Sequence, residues 1–212
     1  MPASPTTIRA VIFDFGGVLM RTGSLEPRRR LAEQFGLSLD ELYRLVFDGD
    51  GSREAQLGSI DPDQRWAQIG QSVRLSSRDE QIAFHQAMFA TDVLDGELLD
   101  YIRSLRPRLK TALLSNASLR LVTVLRDDLH IEDCFDVIVI SAQVGLMKPD
   151  PAIYRLTLER LGVEPQEAVF LDDVLDNVEA ASSLGIHTVH FVGREEAVCE
   201  LEELLGRSPP RC

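Results

Sequence analysis

Cysteine is scarce in this chain of 212 residues, and what there is has no pattern. Cys134, Cys199 and Cys212 are odd in number and far apart. They have neither the spacing of a zinc site nor that of a disulfide framework, and they read as reduced thiols in a cytoplasmic protein. Also missing is any apolar run near the ~18 residues that a membrane span requires, and no basic-then-apolar leader opens the chain. No membrane partner is expected. Positive charge is in deficit, with 22 Lys and Arg against 34 Asp and Glu, which leaves a formal charge of −12. Such a field repels a nucleic-acid backbone and an anionic membrane, so no nucleic-acid partner is expected either. A small anionic substrate then requires local positive charge in its site. Internal repeats and low-complexity segments are absent, and nothing in the composition indicates an oligomeric state. The first seven residues and the tail from Arg207 to Cys212, with Pro209 and Pro210, read as frayed ends.

What is present is an ordinary globular composition, 44% hydrophobic and 26% charged, organised around one stretch. Ile8 to Phe13 is β-branched and aromatic without a breaker, which predicts a strand buried on both faces, as in a parallel sheet. Asp14 ends it, and Gly16 and Gly17 follow. Ligands of open α/β sheets bind outside the carboxyl ends of the strands, so this carboxylate stands where chemistry is done.

From residue 20 to residue 93 the periodicity is helical. Leu31 and Phe35 mark a helix closed by Gly36; Ser38, Asp40 and Glu41 open a second; Asp61 and Pro62 open a third that holds Trp66; and Ser77 precedes a fourth. In the fourth, Ile82, His85 and Phe89 share a stripe, so His85 is expected to pack inside this segment, as is Trp66. A strand-helix-strand unit takes roughly thirty residues, yet the next strand, Thr111 to Leu114, begins almost a hundred residues after Asp14. The surplus predicts an all-helical insert over 20–93 in an α/β core made of 1–19 and 94–212.

Beyond the insert, strand and helix alternate, the mark of crossovers that build a parallel sheet. Strands are expected at Thr111–Leu114, Val137–Ile140, Ala168–Leu171 and Thr188–Val192. Ser118 is expected to cap the helix carrying Leu121, Leu125 and Leu129, Asp150 and Pro151 to open another that ends at Gly162, and Gly185 to stop a third. Four segments thus end in polar groups at one sheet edge: Asp14, Ser115 with Asn116, Lys148, and Asp172 with Asp173. Singly, each has a plain structural explanation as a cap, a turn or a solvated charge. Together they supply a carboxylate nucleophile, a hydroxyl and amide, a cation and a second acidic pair, the parts for phosphoryl transfer with a hard metal.

In this order the motifs Asp14-x-Gly-Gly-Val, Ser115-Asn116, Lys148-Pro149-Asp150-Pro151 and Asp172-Asp173 with Asn177 resemble the haloacid dehalogenase superfamily. Within it, the chain is most similar to small phosphatases related to the amino-terminal domain of soluble epoxide hydrolase and to bacterial sugar-phosphate phosphatases. The resemblance spans Ile8 to Val192. It implies an α/β, Rossmann-like core of five parallel strands in the order 5-4-1-2-3, with the insert as a helical cap of the family's first type. It also implies a Mg²⁺-dependent phosphomonoesterase acting on a small phosphorylated metabolite. In that scheme Asp14 is the nucleophile, and Mg²⁺ is held by Asp14, Asp173 and the carbonyl of Gly16. Ser115 and Asn116 bind the phosphate, Lys148 neutralises charge on nucleophile and phosphate, and Asp172 and Asn177 form a supporting shell.

One position departs from the pattern. Phosphatases of the superfamily carry an acid/base aspartate two residues after the nucleophile, and here that residue is Gly16. General acid/base catalysis contributes typically ~10²–10⁴-fold, so turnover is expected to be weak or restricted to good leaving groups. Two further readings stay open: a phosphate-binding or interaction protein that keeps the fold without turnover, and a hydrolase like the 2-haloacid dehalogenases. The latter need no acid at that position, but they also need no metal.

Overall fold

The structure is a computed structural model that describes residues 7–106 and 108–207. The remaining residues, which include most of the expected frayed ends and Cys212, lie outside this description. Arg207, counted among those ends, is tied back by its N–H to the Glu202 carbonyl and by an ion pair with the Glu202 carboxylate.

The chain opens with β1 (Ala10–Phe13), then β2 (Met20–Thr22), and five helices follow: α1 (Glu26–Gln34), α2 (Leu39–Phe47), α3 (Asp50–Gln56), α4 (Pro62–Ser72) and α5 (Arg78–Phe89). After β3 (Asp92–Leu94) come α6 (Gly96–Leu105), β4 (Lys110–Ser115), α7 (Arg120–Thr123), β5 (Val137–Ile140), α8 (Ser141–Val144), α9 (Pro151–Leu161), β6 (Ala168–Asp172), α10 (Leu175–Ser183), β7 (His187–His190) and α11 (Arg194–Leu204). Five strands form one parallel sheet ordered β5-β4-β1-β6-β7. The chain-order numbers include β2 and β3, which lie outside this sheet; counting its five strands alone, the order is 5-4-1-2-3 read from the β7 edge.

The central strand alternates its two faces. Val11 and Phe13 join Leu113, Leu171 and Val189 in a core closed by α6 and α11, through Leu98, Ile102 and Leu201. Ala10 and Ile12 join Ala112, Leu114 and Phe170 in a second core closed by α9 and α10, through Ile153, Tyr154, Leu158 and Ala181. Both faces of the sheet are therefore covered, which is why its strands read as continuous apolar runs.

The insert has its own core of Leu31, Leu42, Val46, Ile69, Phe84 and Met88. Three of its helices begin with reciprocal capping boxes: Ser38 with Glu41, Asp61 with Gln64, and Ser77 with Glu80. Two expectations are corrected here, and two elements were not foreseen. The insert is not all-helical at its roots, because β2 and β3 pair antiparallel there, Met20 opposite Leu94. On α5 the buried residues are Phe84 and Met88, whereas Ile82 is exposed and His85 and Phe89 are half-buried. The polar α3, Asp-Gly-Ser-Arg-Glu-Ala-Gln, and the four-residue α8 had no apolar period to predict them.

Two corrections concern the core. Ser118 caps no helix: α7 has Leu119 at its N-cap without a side-chain bond and passes into a π-helical turn, Val124–Asp128, which still buries Leu121 and Leu125. The reading of all cysteines as reduced thiols fails at Cys199, which is disulfide-bonded. Cys134 is free and buried.

Candidate active site

β1 and β4 on one side and β1 and β6 on the other run in parallel register, so their ends converge. The Asp14 N–H continues the ladder by donating to the Leu171 carbonyl at 2.9 Å. The Asp14 carboxylate is turned back on its own strand end: Oδ1 accepts the Phe15 N–H at 2.7 Å and faces Lys148 Nζ at 2.8 Å. Among the described residues Oδ2 accepts no hydrogen bond, which leaves it free for a ligand.

Lys148 is 2% exposed and bound on all sides. Its ammonium donates to Asp172 Oδ2 at 2.6 Å and to the Leu114 carbonyl at 3.0 Å, besides facing Asp14, and it stands 5.5 Å from the centre of the Phe170 ring. Its main chain is held too, by a role that sequence reading missed. The Asn116 side chain accepts the Lys148 N–H and donates to the Lys148 carbonyl, both at 2.8 Å, as a second peptide group would. Ser115 ends β4 and is buried beside it.

Asp172 is wholly buried and fully committed. Oδ1 accepts the Val174 N–H at 2.8 Å and Asn177 Nδ2 at 3.1 Å, and Oδ2 accepts Lys148 and the same Asn177 amide. Asp173 is exposed, and its main-chain carbonyl meets His190 Nε2 at 3.0 Å. Nothing in the sequence pattern marks His190; only the pairing of β6 with β7 brings it there. Carboxylate oxygens of Asp14, Asp172 and Asp173 lie within 4.8 Å of one another. Because Asp172 has no lone pair to spare, the donors available to a cation are Asp14 and Asp173. An all-oxygen, anionic set without sulfur or imidazole suits Mg²⁺ rather than Zn²⁺.

The two glycines after the nucleophile have different reasons. Gly17 has φ +80°, and a Cβ there would overlap the Asp173 carboxylate, so glycine is what lets Asp173 approach Asp14. Gly16 is under neither constraint: its φ is not positive, and an added Cβ would meet nothing within 4 Å.

Electrostatics follow from this crowding. Burial pushes the Asp14 carboxyl up to about 7; the Lys148 ammonium opposes the shift and Asp172 reinforces it. Burial disfavours the charged form of Lys148, but the two carboxylates beside it outweigh burial and raise its pKa. Asp173, although its surface is exposed, is raised by partial desolvation among its neighbours and then by Asp172. Three carboxylates against one ammonium leave the cluster negative, an arrangement that a divalent cation balances.

An open parallel sheet with helices on both faces, and an acidic cluster with a buried lysine at the end of its central strand, define a Rossmann-like α/β hydrolase. The family of haloacid dehalogenase-like hydrolases matches residues 8–185, and the chain belongs to it. It is 34% identical over 188 residues to a phosphorylated carbohydrates phosphatase of Thermotoga maritima, covering 87% of this chain and 85% of that one. It is 28% identical over 221 residues to bifunctional epoxide hydrolase 2 of Mus musculus, covering 96% of this chain. The chain spans 40% of the length of that relative and a smaller share of others that it matches. Among solved structures, a haloacid dehalogenase family enzyme of Bacteroides thetaiotaomicron in complex with magnesium and inorganic phosphate superposes with a TM-score of 0.69 at 25% identity, covering 86% of this chain and 93% of that one.

Proposed function

We propose that the protein is a Mg²⁺-dependent phosphomonoesterase that works through an aspartyl-phosphate on Asp14. The observation that carries this reading is the Asp14–Lys148–Asp172 array with Asp173 beside it: a nucleophile with one free oxygen, a fixed cation and a hard-metal donor set at one strand end. The Thermotoga and Bacteroides relatives support the phosphate ester as substrate.

Asp14 Oδ2 attacks phosphorus, the bond from phosphorus to the ester oxygen breaks, and the alcohol oxygen leaves with the bond's electron pair. Water then attacks the phosphorus of the acyl phosphate, releasing inorganic phosphate and restoring the carboxylate. Lys148 spreads positive charge over nucleophile and phosphate, and Asp172, clamped by Asn177, keeps Lys148 charged and aimed. Ser115 and the Asn116 main chain offer donors to phosphate oxygens. Asp14, Asp173 and the Gly16 carbonyl would hold Mg²⁺, which when bound offsets the negative charge of the phosphate and the carboxylates. The insert over 20–93 serves as the cap of this site.

The test is hydrolysis of phenyl phosphate. Turnover is expected with Mg²⁺, none in excess chelator, and none from a folded Asp14→Asn variant. Undiminished turnover with chelator, or an active Asp14→Asn protein, contradicts the reading.

A further inference from the structure

Asp172 and Asp173 are neighbours in the chain but are held in opposite ways. The Asp172 carboxylate is fixed by its own hydrogen bonds, from Lys148, Asn177 and the Val174 N–H. Among the described residues no side chain donates to the Asp173 carboxylate. Gly17 gives it room on one side, and beyond that its direction is set by the main chain that carries it.

The peptide group that follows Asp173 is gripped at both of its polar atoms. Its carbonyl, on Asp173, lies 3.0 Å from His190 Nε2, and its N–H, on Val174, donates to Asp172 Oδ1 at 2.8 Å. A carbonyl can only accept, so Nε2 carries the hydrogen and donates it. His190 comes from β7, the edge strand, where it stands opposite Asp172 in the ladder; the Phe191 N–H then donates to the Asp172 carbonyl at 2.9 Å. An exposed histidine on an edge strand is ordinarily a solvated side chain. The side chain of His187, also exposed on β7, makes no hydrogen bond among the described residues. His190 instead directs its ring at the one peptide group whose rotation would swing the Asp173 carboxylate.

We propose that His190 is a positioning residue for the metal: by holding the Asp173 carbonyl it aims the Asp173 carboxylate beside Asp14, and so it sets the affinity for Mg²⁺. The inference rests on the phosphomonoesterase reading and deepens it by a residue that reaches neither metal nor substrate. Mg²⁺ is the cation for which such aim matters, because it demands near-ideal octahedral geometry at about 2.0–2.1 Å and tolerates little displacement of a ligand. Partners that orient a metal ligand are commonly worth tenfold or more in metal affinity. Here the bond is exposed and acts through the main chain, so about three- to tenfold is expected.

The test is calorimetric titration of the whole chain with magnesium chloride, without substrate. His190→Ala should raise the Kd for Mg²⁺ by about three- to tenfold. His190→Gln, whose amide N–H stands near the place of Nε2, should recover most of that loss, and His187→Ala should stay within about twofold of wild type. In turnover of phenyl phosphate the Mg²⁺ concentration for half-maximal rate should rise by the same factor in His190→Ala, while kcat at saturating Mg²⁺ stays within about twofold. His190→Val, which keeps a strand-forming side chain without a donor, takes the place of the alanine variant if that one fails to fold. An unchanged Kd in the folded variant, an equal loss in His190→Gln, or an equal loss in His187→Ala overturns the proposal and leaves the phosphatase reading intact. A wild-type protein that takes up no Mg²⁺ overturns both.

Discussion

At the scale of single residues, Gly16 and Lys148 carry the sharpest consequences. Gly16 stands where the resemblance to the superfamily's phosphatases implies an acid, and its ordinary φ and open surroundings mean that a side chain fits. Gly16→Asp is therefore expected to fold and to speed simple alkyl phosphates by up to ~10²–10⁴-fold, with a smaller gain for aryl esters that need no proton. The measurement is kcat/KM for both ester types in both proteins. An equal gain for both, or none for the alkyl esters in a folded variant, shows that proton delivery is not what Gly16 lacks. Lys148 separates two buried carboxylates at 2.8 and 2.6 Å. Lys148→Met leaves them facing each other unpaired, and a loss of about 3–5 kcal/mol in unfolding free energy is expected from urea denaturation, besides loss of turnover. Stability equal to wild type contradicts the account of the cluster.

At the scale of elements, much of the architecture was legible because each signal has one physical cause. Capping boxes at Ser38 and Ser77, Pro62 and Pro151 at first helical positions, and Gly162 in the left-handed region all lie where the sequence indicates. The strand ends carrying Asp14, Ser115 and Asp172 were legible for the same reason: an apolar run stops at a polar residue. What lacked a local signal was the pairing of distant segments. Neither β2 with β3, nor His190 with Asp173, nor the clasp of Asn116 on the Lys148 main chain leaves a periodic trace. On α5 the stripe Ile82-His85-Phe89 competes with Phe84 and Met88 four apart, and only packing against α1 and α2 decides which pair is buried.

Where the insert leaves the core, Asp95 joins three elements. It caps α6 through the Leu98 N–H and receives Arg21 from β2 and Arg194 from α11. Its burial acts to raise its pKa, but the Leu98 N–H and the two guanidinium groups outweigh this and lower it. A lowered folded value contributes stability that is complete above the ordinary 3.8 and is lost as pH falls through the folded value. Asp95→Asn keeps a capping side chain and removes the charge. The variant is expected to be about 1–2 kcal/mol less stable near neutrality, a figure reduced for the partial exposure of Arg21. The deficit should shrink steadily below about pH 4 in urea titrations. A deficit that does not change with pH assigns the loss to packing instead.

At the scale of the whole molecule, a net charge of −12 and the proposed phosphate-ester substrate are reconciled by local charge in one place: a lysine enclosed by carboxylates, with an oxygen donor set that could hold a divalent cation. The sheet brings Asp14, Ser115 and Asp172 together because β1 is central and its neighbours are β4 and β6. The covalent step on Asp14 is the claim on which the rest depends. Quenching the protein with borohydride during turnover of phenyl phosphate in Mg²⁺ reduces an aspartyl-phosphate to homoserine. The account predicts homoserine at position 14 in the peptide mass map, only when substrate and Mg²⁺ are both present. Undiminished turnover with an unmodified Asp14 contradicts it.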